Sequence, residues 1–171
     1  MHVATNVREN SMRVLAIDPG YDRLGVAIVE GNPSKPVLVW SACVTPPKGV
    51  REMRLAYVHE TISSVAKEYA PDFFAIESLY FSTNKKTALG VAEARGAALA
   101  AASAAGLPVR EVAPGTVKLA VTGNGRADKK AIAHLLPHLI TLPKKARLDD
   151  ELDAIALGIA ALTLGNPQRA S

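Results

Sequence analysis

Short apolar runs of strand length dominate the first quarter of the chain. They lie at residues 13–17, 24–29 and 37–44, and clusters of Gly, Pro, Asn and Asp separate them. Strands joined by short turns usually pair with the strand that follows. This part of the chain therefore predicts a three-stranded antiparallel meander.

Helical spacing replaces this pattern from residue 50 onwards. Apolar residues recur mostly at intervals of three and four along residues 50–69, and Pro71 ends that predicted helix. Beyond it, the predicted strands are residues 73–76 and 108–112, and the predicted helices are residues 87–105, 114–120, 128–136 and 150–164. Strands that alternate with helices favour an α/β domain with a mixed sheet and right-handed crossovers.

The length of 171 residues suits one compact domain, which we expect over residues 12–166, with residues 167–171 as a C-terminal tail. Residues 1–11 are polar and have no apolar stretch of the signal-peptide kind, so we expect a disordered extension or a tag remnant. The longest apolar run, residues 154–164, is too short to cross a bilayer. No membrane association is expected.

Positive charge is concentrated in the middle of the chain. Residues 81–147 carry 11 Lys or Arg against 3 acids, whereas residues 148–171 carry 1 basic residue against 4 acids. A basic stretch beside an acidic cluster is typical of a protein that binds phosphates and binds metal ions next to them. Basic residues that only solvate helices would produce the same composition. Cys43 is the only cysteine, which excludes an internal disulfide and fits a reducing cytoplasm.

Two predicted strands end in a carboxylate. Asp18 follows the first strand directly, and Glu77 follows the fourth. Ligands of open α/β sheets gather at the carboxyl ends of parallel strands, so the two acids would face one crevice if these strands are neighbours. The last predicted helix begins with a run of acids, in which Asp150 and Asp153 share a helix face. That helix would bring two more carboxylates to the strand ends.

Four carboxylates from three separate segments favour a site for hard divalent cations. Mg²⁺ prefers oxygen ligands, and two such ions about 3.5–4 Å apart assist phosphodiester cleavage. Taken singly, these acids have structural explanations. Asp18 precedes Pro-Gly and would suit a turn, and Asp149 or Asp150 would suit a helix N-cap. Glu77 directly after Phe-Phe-Ala-Ile has no such explanation, and the set together favours a site.

The chain resembles the RuvC family of Holliday-junction resolvases. Five motifs carry the resemblance in order: Ile17-Asp18-Pro19-Gly20 with Arg23 and Gly25, Ala75-Ile76-Glu77, Ala94-Arg95-Gly96, Val117-Lys118 with residues 123–129, and Asp150-x-x-Asp153-Ala154. The match runs from Val14 to about Leu164, nearly the whole chain. Ala16 stands where the family often has Gly and Ser78 where Gln is usual, and neither change removes a chemical group that the reaction needs.

The resemblance implies a ribonuclease H-like α/β fold, with a mixed five-stranded sheet flanked by helices. It also implies a homodimer that resolves Holliday junctions by paired symmetric nicks in DNA recombination and repair, together with the RuvA–RuvB branch-migration complex. By position, Asp18, Glu77, Asp150 and Asp153 would be the catalytic metal ligands, holding two Mg²⁺ ions for which Mn²⁺ can substitute. Because Asp149 also shares a face with Asp153, the third ligand is either Asp149 or Asp150.

The residues expected to contact DNA are Lys118, Lys129, Tyr80, Phe81, Arg126, Lys85 and Lys86. The resemblance places Lys118 and Lys129 near the scissile phosphates, where their charge would offset the negative charge of the transition state. Tyr80, or failing that Phe81, would stack on bases opened at the junction centre. The structural alternative is an aromatic side chain packed under its own loop.

Three other functions remain open from the residues alone. The Asp-Pro-Gly turn also resembles the phosphate-binding strand pair of actin-like ATPases, although those need two such domains. A second alternative is a YqgF-type nuclease that acts on RNA. A third is a DNA-binding module without catalysis, which the four carboxylates oppose because acids without metal repel phosphate.

Overall fold

The computed structural model describes residues 11–20, 22–79 and 85–169. Its elements are β1 (Met12–Pro19), β2 (Leu24–Asn32), β3 (Lys35–Val44), α1 (Arg51–Tyr69), β4 (Phe73–Glu77), α2 (Lys85–Ala104), β5 (Val109–Val112), α3 (Pro114–Thr122), α4 (Lys129–Leu139), α5 (Asp149–Leu164) and a short 3₁₀ turn, Pro167–Arg169. Every predicted strand and helix is present, and the bounds differ from the predicted ones by three residues at most.

The five strands form one mixed sheet in the order β3-β2-β1-β4-β5. β1, β2 and β3 are antiparallel neighbours, so the predicted meander is confirmed. β4 pairs parallel with β1 and β5 pairs parallel with β4. In this register Ile17 lies opposite Ile76. The next residues, Asp18 and Glu77, therefore lie side by side at the carboxyl ends of β1 and β4.

Helices cover both faces of the sheet, and the central strand is apolar on both sides for that reason. Leu15 and Ile17 of β1 point toward α1 and α2, where one apolar cluster forms. Val14 and Ala16 point the other way, into a second cluster built with α3, α4 and α5. This burial on both faces explains the continuous apolar run from Val14 to Ile17.

α5 packs unusually close to the sheet because small residues separate the two. A side chain at Gly158 would place its Cβ 2.6 Å from Val29 Cγ2 and 3.5 Å from Ala16 Cβ. At the start of the helix, a Cβ on Gly25 would lie only 1.8 Å from the carbonyl oxygen of Asp150. Glycine at position 25 is thus required for the first turn of α5 to rest against β2.

One boundary shows a physical effect that the sequence pattern missed. The helix predicted to end at Leu136 continues through Pro137 to Leu139. Pro137 removes one N–H donor, but the helix still closes because the N–H of Ile140 donates to the carbonyl of Leu136 at 3.1 Å. Within the described ranges, no helix has the length and apolar character needed to cross a membrane.

Candidate active site

Three of the four predicted carboxylates line a cleft of about 280 Å³ at the carboxyl ends of β1 and β4. The residues that line the cleft are Asp18, Glu77, Pro114, Val117, Lys118, Lys129, Ile132, Asp153 and Leu157. Three acids and two lysines predicted from separate motifs therefore share one cavity with an apolar floor. Asp150 is not among these residues, and its backbone lies against Gly25 of β2, which is paired with Asp18.

Asp18 has the most perturbed carboxyl group of the site. Burial, and then the charges of Asp153, Glu77 and Asp150, together raise its pKa from 3.8 to about 7, against the lowering effect of Lys129. The negative charge of ionised Asp18 is thus poorly compensated by the protein's own groups. A cation bound at this point would favour the ionised form.

Glu77 is held in place by the backbone on both sides of it. It is the last residue of β4, and the N–H of Ser78 still donates to the carbonyl of Val112 at 2.9 Å. Burial and the charge of Asp153 raise the pKa of Glu77, against the lowering effect of Lys129 and Lys118. Like Asp18, Glu77 is an acid that a nearby cation would stabilise in its charged state.

Basic side chains contact the two acids supplied by α5. Lys129 Nζ donates to Asp153 Oδ2 at 2.8 Å, and this hydrogen bond raises the pKa of Lys129. Arg23 Nη2 lies 2.9 Å from Asp150 Oδ2. That contact is an ion pair without hydrogen-bond alignment, so this buried oxygen has no hydrogen-bond donor among the described residues. A metal ion is one group that could satisfy it.

The structure places Asp150, and not Asp149, next to Asp18. The charge of Asp150 acts on Asp18, whereas Asp149 is exposed to solvent and acts on Lys129. The reason is the close contact between the backbone of Asp150 and Gly25, which is paired with Asp18 across β1 and β2. Of the two candidates for the third ligand, the geometry favours Asp150.

The chemistry of this donor set fits a hard divalent cation, although the side chains do not yet converge on one point. Within residues 11–20, 22–79 and 85–169, no three Asp, Glu, His or Cys side chains come close enough to enclose an ion. The fit rests on the acids around Asp18 and Glu77, whose charges raise the pKa of these two groups, and on the Asp150 oxygen that has no hydrogen-bond donor among the described residues. The residues that would hold the ion are Asp18, Glu77, Asp150 and Asp153.

The predicted DNA-contacting residues have different outcomes. Lys118 and Lys129 line the cleft, as expected. Arg126 lies exposed in the turn between α3 and α4, where the N–H of Arg126 donates to Asn124 Oδ1 at 3.0 Å. Lys85 and Lys86 begin α2, but their side chains are outside the described part. Tyr80 and Phe81 lie outside the described residues altogether.

A buried acid in the same helix turn was not recognised from sequence. Glu151 is 4% exposed and accepts a hydrogen bond from Ser41 Oγ at 2.6 Å. Lys145 Nζ lies 2.8 Å and Arg147 Nε 3.2 Å from the same carboxylate oxygen. Burial raises the pKa of Glu151, but hydrogen bonds from Lys145 and Ser41 lower it overall. The four-residue spacing of Arg147 and Glu151 was the one local signal of this pair.

Comparison with known proteins decides which family has this arrangement. The family model described as crossover junction endodeoxyribonuclease RuvC matches residues 14–161. The chain belongs to the RuvC family. That match covers all four carboxylates of the site, as well as Lys118 and Lys129. Membership in the RuvC family sets the chain apart from the actin-like ATPases and YqgF-type nucleases considered above.

RuvC relatives are similar over nearly the whole chain. A RuvC from Salinispora arenicola is 37% identical over 156 residues, covering 90% of this chain and 89% of the relative. A RuvC from Desulforamulus reducens is 39% identical over 150 residues, covering 86% and 91%.

Solved structures confirm the ribonuclease H-like fold. Thermus thermophilus RuvC in complex with a Holliday junction substrate matches with a TM-score of 0.81 and 30% identity, covering 87% of this chain and 92% of that one. The yeast mitochondrial Holliday junction resolvase Ydc2 matches with a TM-score of 0.68 at 10% identity, covering 93% and 82%. The second likeness concerns the fold alone.

Proposed function

We propose that this RuvC-family chain is a metal-dependent endodeoxyribonuclease that resolves Holliday junctions by paired symmetric nicks in DNA recombination and repair. The observation that carries the proposal is that Asp18, Glu77 and Asp153 line one cleft together with Lys118 and Lys129. Such a cleft binds cations and phosphates together. The similarity to a RuvC solved with a Holliday junction substrate supports four-way DNA as the substrate.

Two Mg²⁺ ions, for which Mn²⁺ can substitute, are proposed to bind between Asp18, Glu77, Asp150 and Asp153. When bound, such ions lower the pKa of a bound water and stabilise charge on the phosphate oxygens. The protein itself supplies the negatively charged side chains that would bind the ions, and the strands and helix that hold these side chains in position. Asp18 and Glu77 are fixed by paired strands, and Asp150 and Asp153 by a buried helix.

Lys118 and Lys129 are proposed to hold the scissile phosphate. Both lie in the cleft with the acids, and both lower the pKa of Glu77. The side chain of Lys129 is 75% exposed, so its ammonium group can pair with Asp153 and still contact a phosphate that approaches from solvent. Without cations the four acids would repel the scissile phosphate, so cleavage requires both metal and lysines.

Other DNA contacts follow from position in the chain. Arg126 is exposed in the turn between α3 and α4, each of which supplies one lysine to the cleft. Lys85 and Lys86 are at the start of α2, and Tyr80 and Phe81 precede them closely. We propose that the basic side chains contact the DNA backbone, and that Tyr80, with Phe81 as second choice, stacks on bases at the junction centre.

The assembly proposed is a homodimer, because two active sites related by two-fold symmetry match the symmetry of a four-way junction. The nuclease domain is proposed to span residues 12–166, which contain the whole family match. A cytoplasmic location and partnership with a RuvA–RuvB complex are proposed from family membership.

The substrate is tested with four oligonucleotides annealed into a four-way junction, each end-labelled in turn, in buffer with Mg²⁺. The expected products are nicks at symmetric positions in two strands of like polarity, with linear duplex left intact. RNA hairpins and ATP are tested in parallel. Degradation of RNA or hydrolysis of ATP, with the junction left whole in both Mg²⁺ and Mn²⁺, would overturn the proposal.

A further inference from the structure

Glu151 is a buried acid located between the two proposed metal ligands of α5. Its carboxylate oxygen Oε1 accepts a hydrogen bond from Ser41 Oγ at 2.6 Å. The same oxygen forms ion pairs with Lys145 Nζ at 2.8 Å and Arg147 Nε at 3.2 Å. It is 4% exposed, and the side chain of Arg147 is 6% exposed. A carboxylate this deeply buried requires such partners, because burying an unpaired charge is strongly unfavourable.

The start of α5 is not held by a local cap. Leu148 occupies the N-cap position, and its side chain cannot accept a hydrogen bond from the first turn. Glu151 is the third helical residue, from which an acid often reaches back to the N-cap N–H. Here it points instead to Ser41 in β3 and to the segment that precedes the helix. The rotation of the first turn therefore depends on tertiary contacts.

These contacts join three parts of the chain at one atom. Ser41 belongs to β3 and is paired with Ala27 of β2. Lys145 also donates to the backbone carbonyl of Ser41 at 3.2 Å. Arg147, which forms an ion pair with Glu151, donates to the carbonyl of Pro143 at 2.8 Å within the α4–α5 connection. Glu151 thus connects the sheet, the connection and α5.

We infer that Glu151 is a positioning residue, which sets the rotation of the first turn of α5 so that Asp150 and Asp153 face Asp18. Gly25 sets how near the helix approaches the sheet, and Glu151 sets which side of it faces the site. Glu151 does not touch the cleft itself. The inference rests on the proposed function, since it assumes that the four carboxylates bind metal.

The test measures Mn²⁺ binding to the purified full chain, from the electron paramagnetic resonance signal of free Mn²⁺, for wild type, Glu151→Ala and Glu151→Gln. Loss of a group that orients metal ligands commonly weakens metal binding about 10–100-fold, so we expect Glu151→Ala to lose about tenfold. Glu151→Gln keeps an oxygen acceptor for Ser41 and Lys145, and it is expected to recover most of that loss.

The matched control is Glu30→Ala, which removes an acid paired with Arg13 at the opposite end of β1 and β2. Its Mn²⁺ affinity is expected to stay within twofold of wild type, whatever the loss of stability. Junction cleavage by Glu151→Ala is expected to lose turnover rate without loss of junction affinity. If Glu151→Ala does not fold, Ser41→Ala replaces it, with an expected loss of two- to threefold.

Equal Mn²⁺ affinities of Glu151→Ala and Glu30→Ala would overturn the inference, because Glu151 would then serve stability alone. Failure of Glu151→Gln to recover Mn²⁺ binding would also overturn the inference. The loss in Glu151→Ala would then come from the missing negative charge of Glu151 and not from displaced Asp150 and Asp153 side chains. A wild type that binds no Mn²⁺ overturns the inference and the metal site together. A wild type that binds Mn²⁺ through Glu151-dependent ligands but leaves junctions uncut overturns the proposed function only.

Discussion

Replacing Asp18 with Asn should stabilise the metal-free protein, because Asp18 is an acid kept in an environment that disfavours its charge. Burial, together with Asp153, Glu77 and Asp150, raises its pKa from 3.8 to about 7. At about 1.4 kcal/mol per pKa unit, ionised Asp18 costs the folded state roughly 4 kcal/mol. The amide that replaces it remains a buried polar group, so we expect a net gain of about 2 kcal/mol.

The gain should depend on pH in a defined direction. Below pH 3.8 the carboxyl group of Asp18 is protonated in both the folded and unfolded states, and the cost is absent. The folded protein retains the proton longer, so wild-type stability falls as the pH rises from 3.8 to about 7, and the full cost applies above that. The Asp18→Asn gain should therefore be small at pH 4.5 and largest at pH 8.

The assay is urea unfolding with EDTA at pH 4.5 and pH 8, followed by circular dichroism. Asp149→Asn is the control, because it removes an exposed acid from the same end of the molecule and should change stability by less than about 0.5 kcal/mol. In a parallel series, Mn²⁺ should stabilise wild type more than Asp18→Asn. A destabilised Asp18→Asn variant at pH 8, or an equal gain at both pH values, would refute the reasoning.

Three further perturbations test other parts of the account. Gly25→Ala should lower the free energy of unfolding by about 3 kcal/mol and abolish Mn²⁺ binding, because its Cβ meets the Asp150 carbonyl at 1.8 Å. Gly158→Ala is the control, because its Cβ would contact a methyl group of Val29 in the same helix–sheet interface. It should lower the free energy of unfolding in urea by about 1 kcal/mol and retain Mn²⁺ binding. Equal effects of the two substitutions would contradict the role of Gly25 in placing the first turn of α5. Lys129→Gln removes a charge that lowers the pKa of Asp18, so Mn²⁺ titrations should show binding that begins at higher pH, and an unshifted profile would argue against this coupling. Tyr80→Ala should leave junction affinity within about threefold but reduce the fluorescence change of 2-aminopurine at the junction centre, whereas an unchanged signal would remove Tyr80 from base stacking.

Much of the fold was predictable because local signals agreed with the tertiary arrangement. Strand-length runs bounded by Gly and Pro marked β1, β2 and β3, and helical spacing marked α1. Glu77 was recognisable because an acid directly after a buried strand has few structural uses, and Asp18 was recognisable only as a member of the set of four acids. Their proximity depended on β1 and β4 being parallel neighbours, a non-local pairing that the sequence allowed but did not require.

The parts that could not be predicted depend on contacts distant in sequence. Ser41 and Glu151 are 110 positions apart, so no local pattern connects them. Gly25 belongs to the first of the five family motifs. Its role in letting the backbone of Asp150 approach β2 is visible only once α5 is packed on the sheet. The choice between Asp149 and Asp150 has the same origin, since both suit the helix start equally well and only the sheet distinguishes them.

The central claim is tested most directly by cleavage of a synthetic four-way junction by wild type and Glu77→Gln, each with Mg²⁺ and with EDTA, alongside gel-shift binding. The account predicts paired symmetric nicks by wild type in Mg²⁺ and none in EDTA. It predicts that Glu77→Gln binds the junction with similar affinity and does not cut it. Cleavage by wild type in EDTA, or undiminished cleavage by Glu77→Gln, would contradict a metal-dependent site built on these carboxylates.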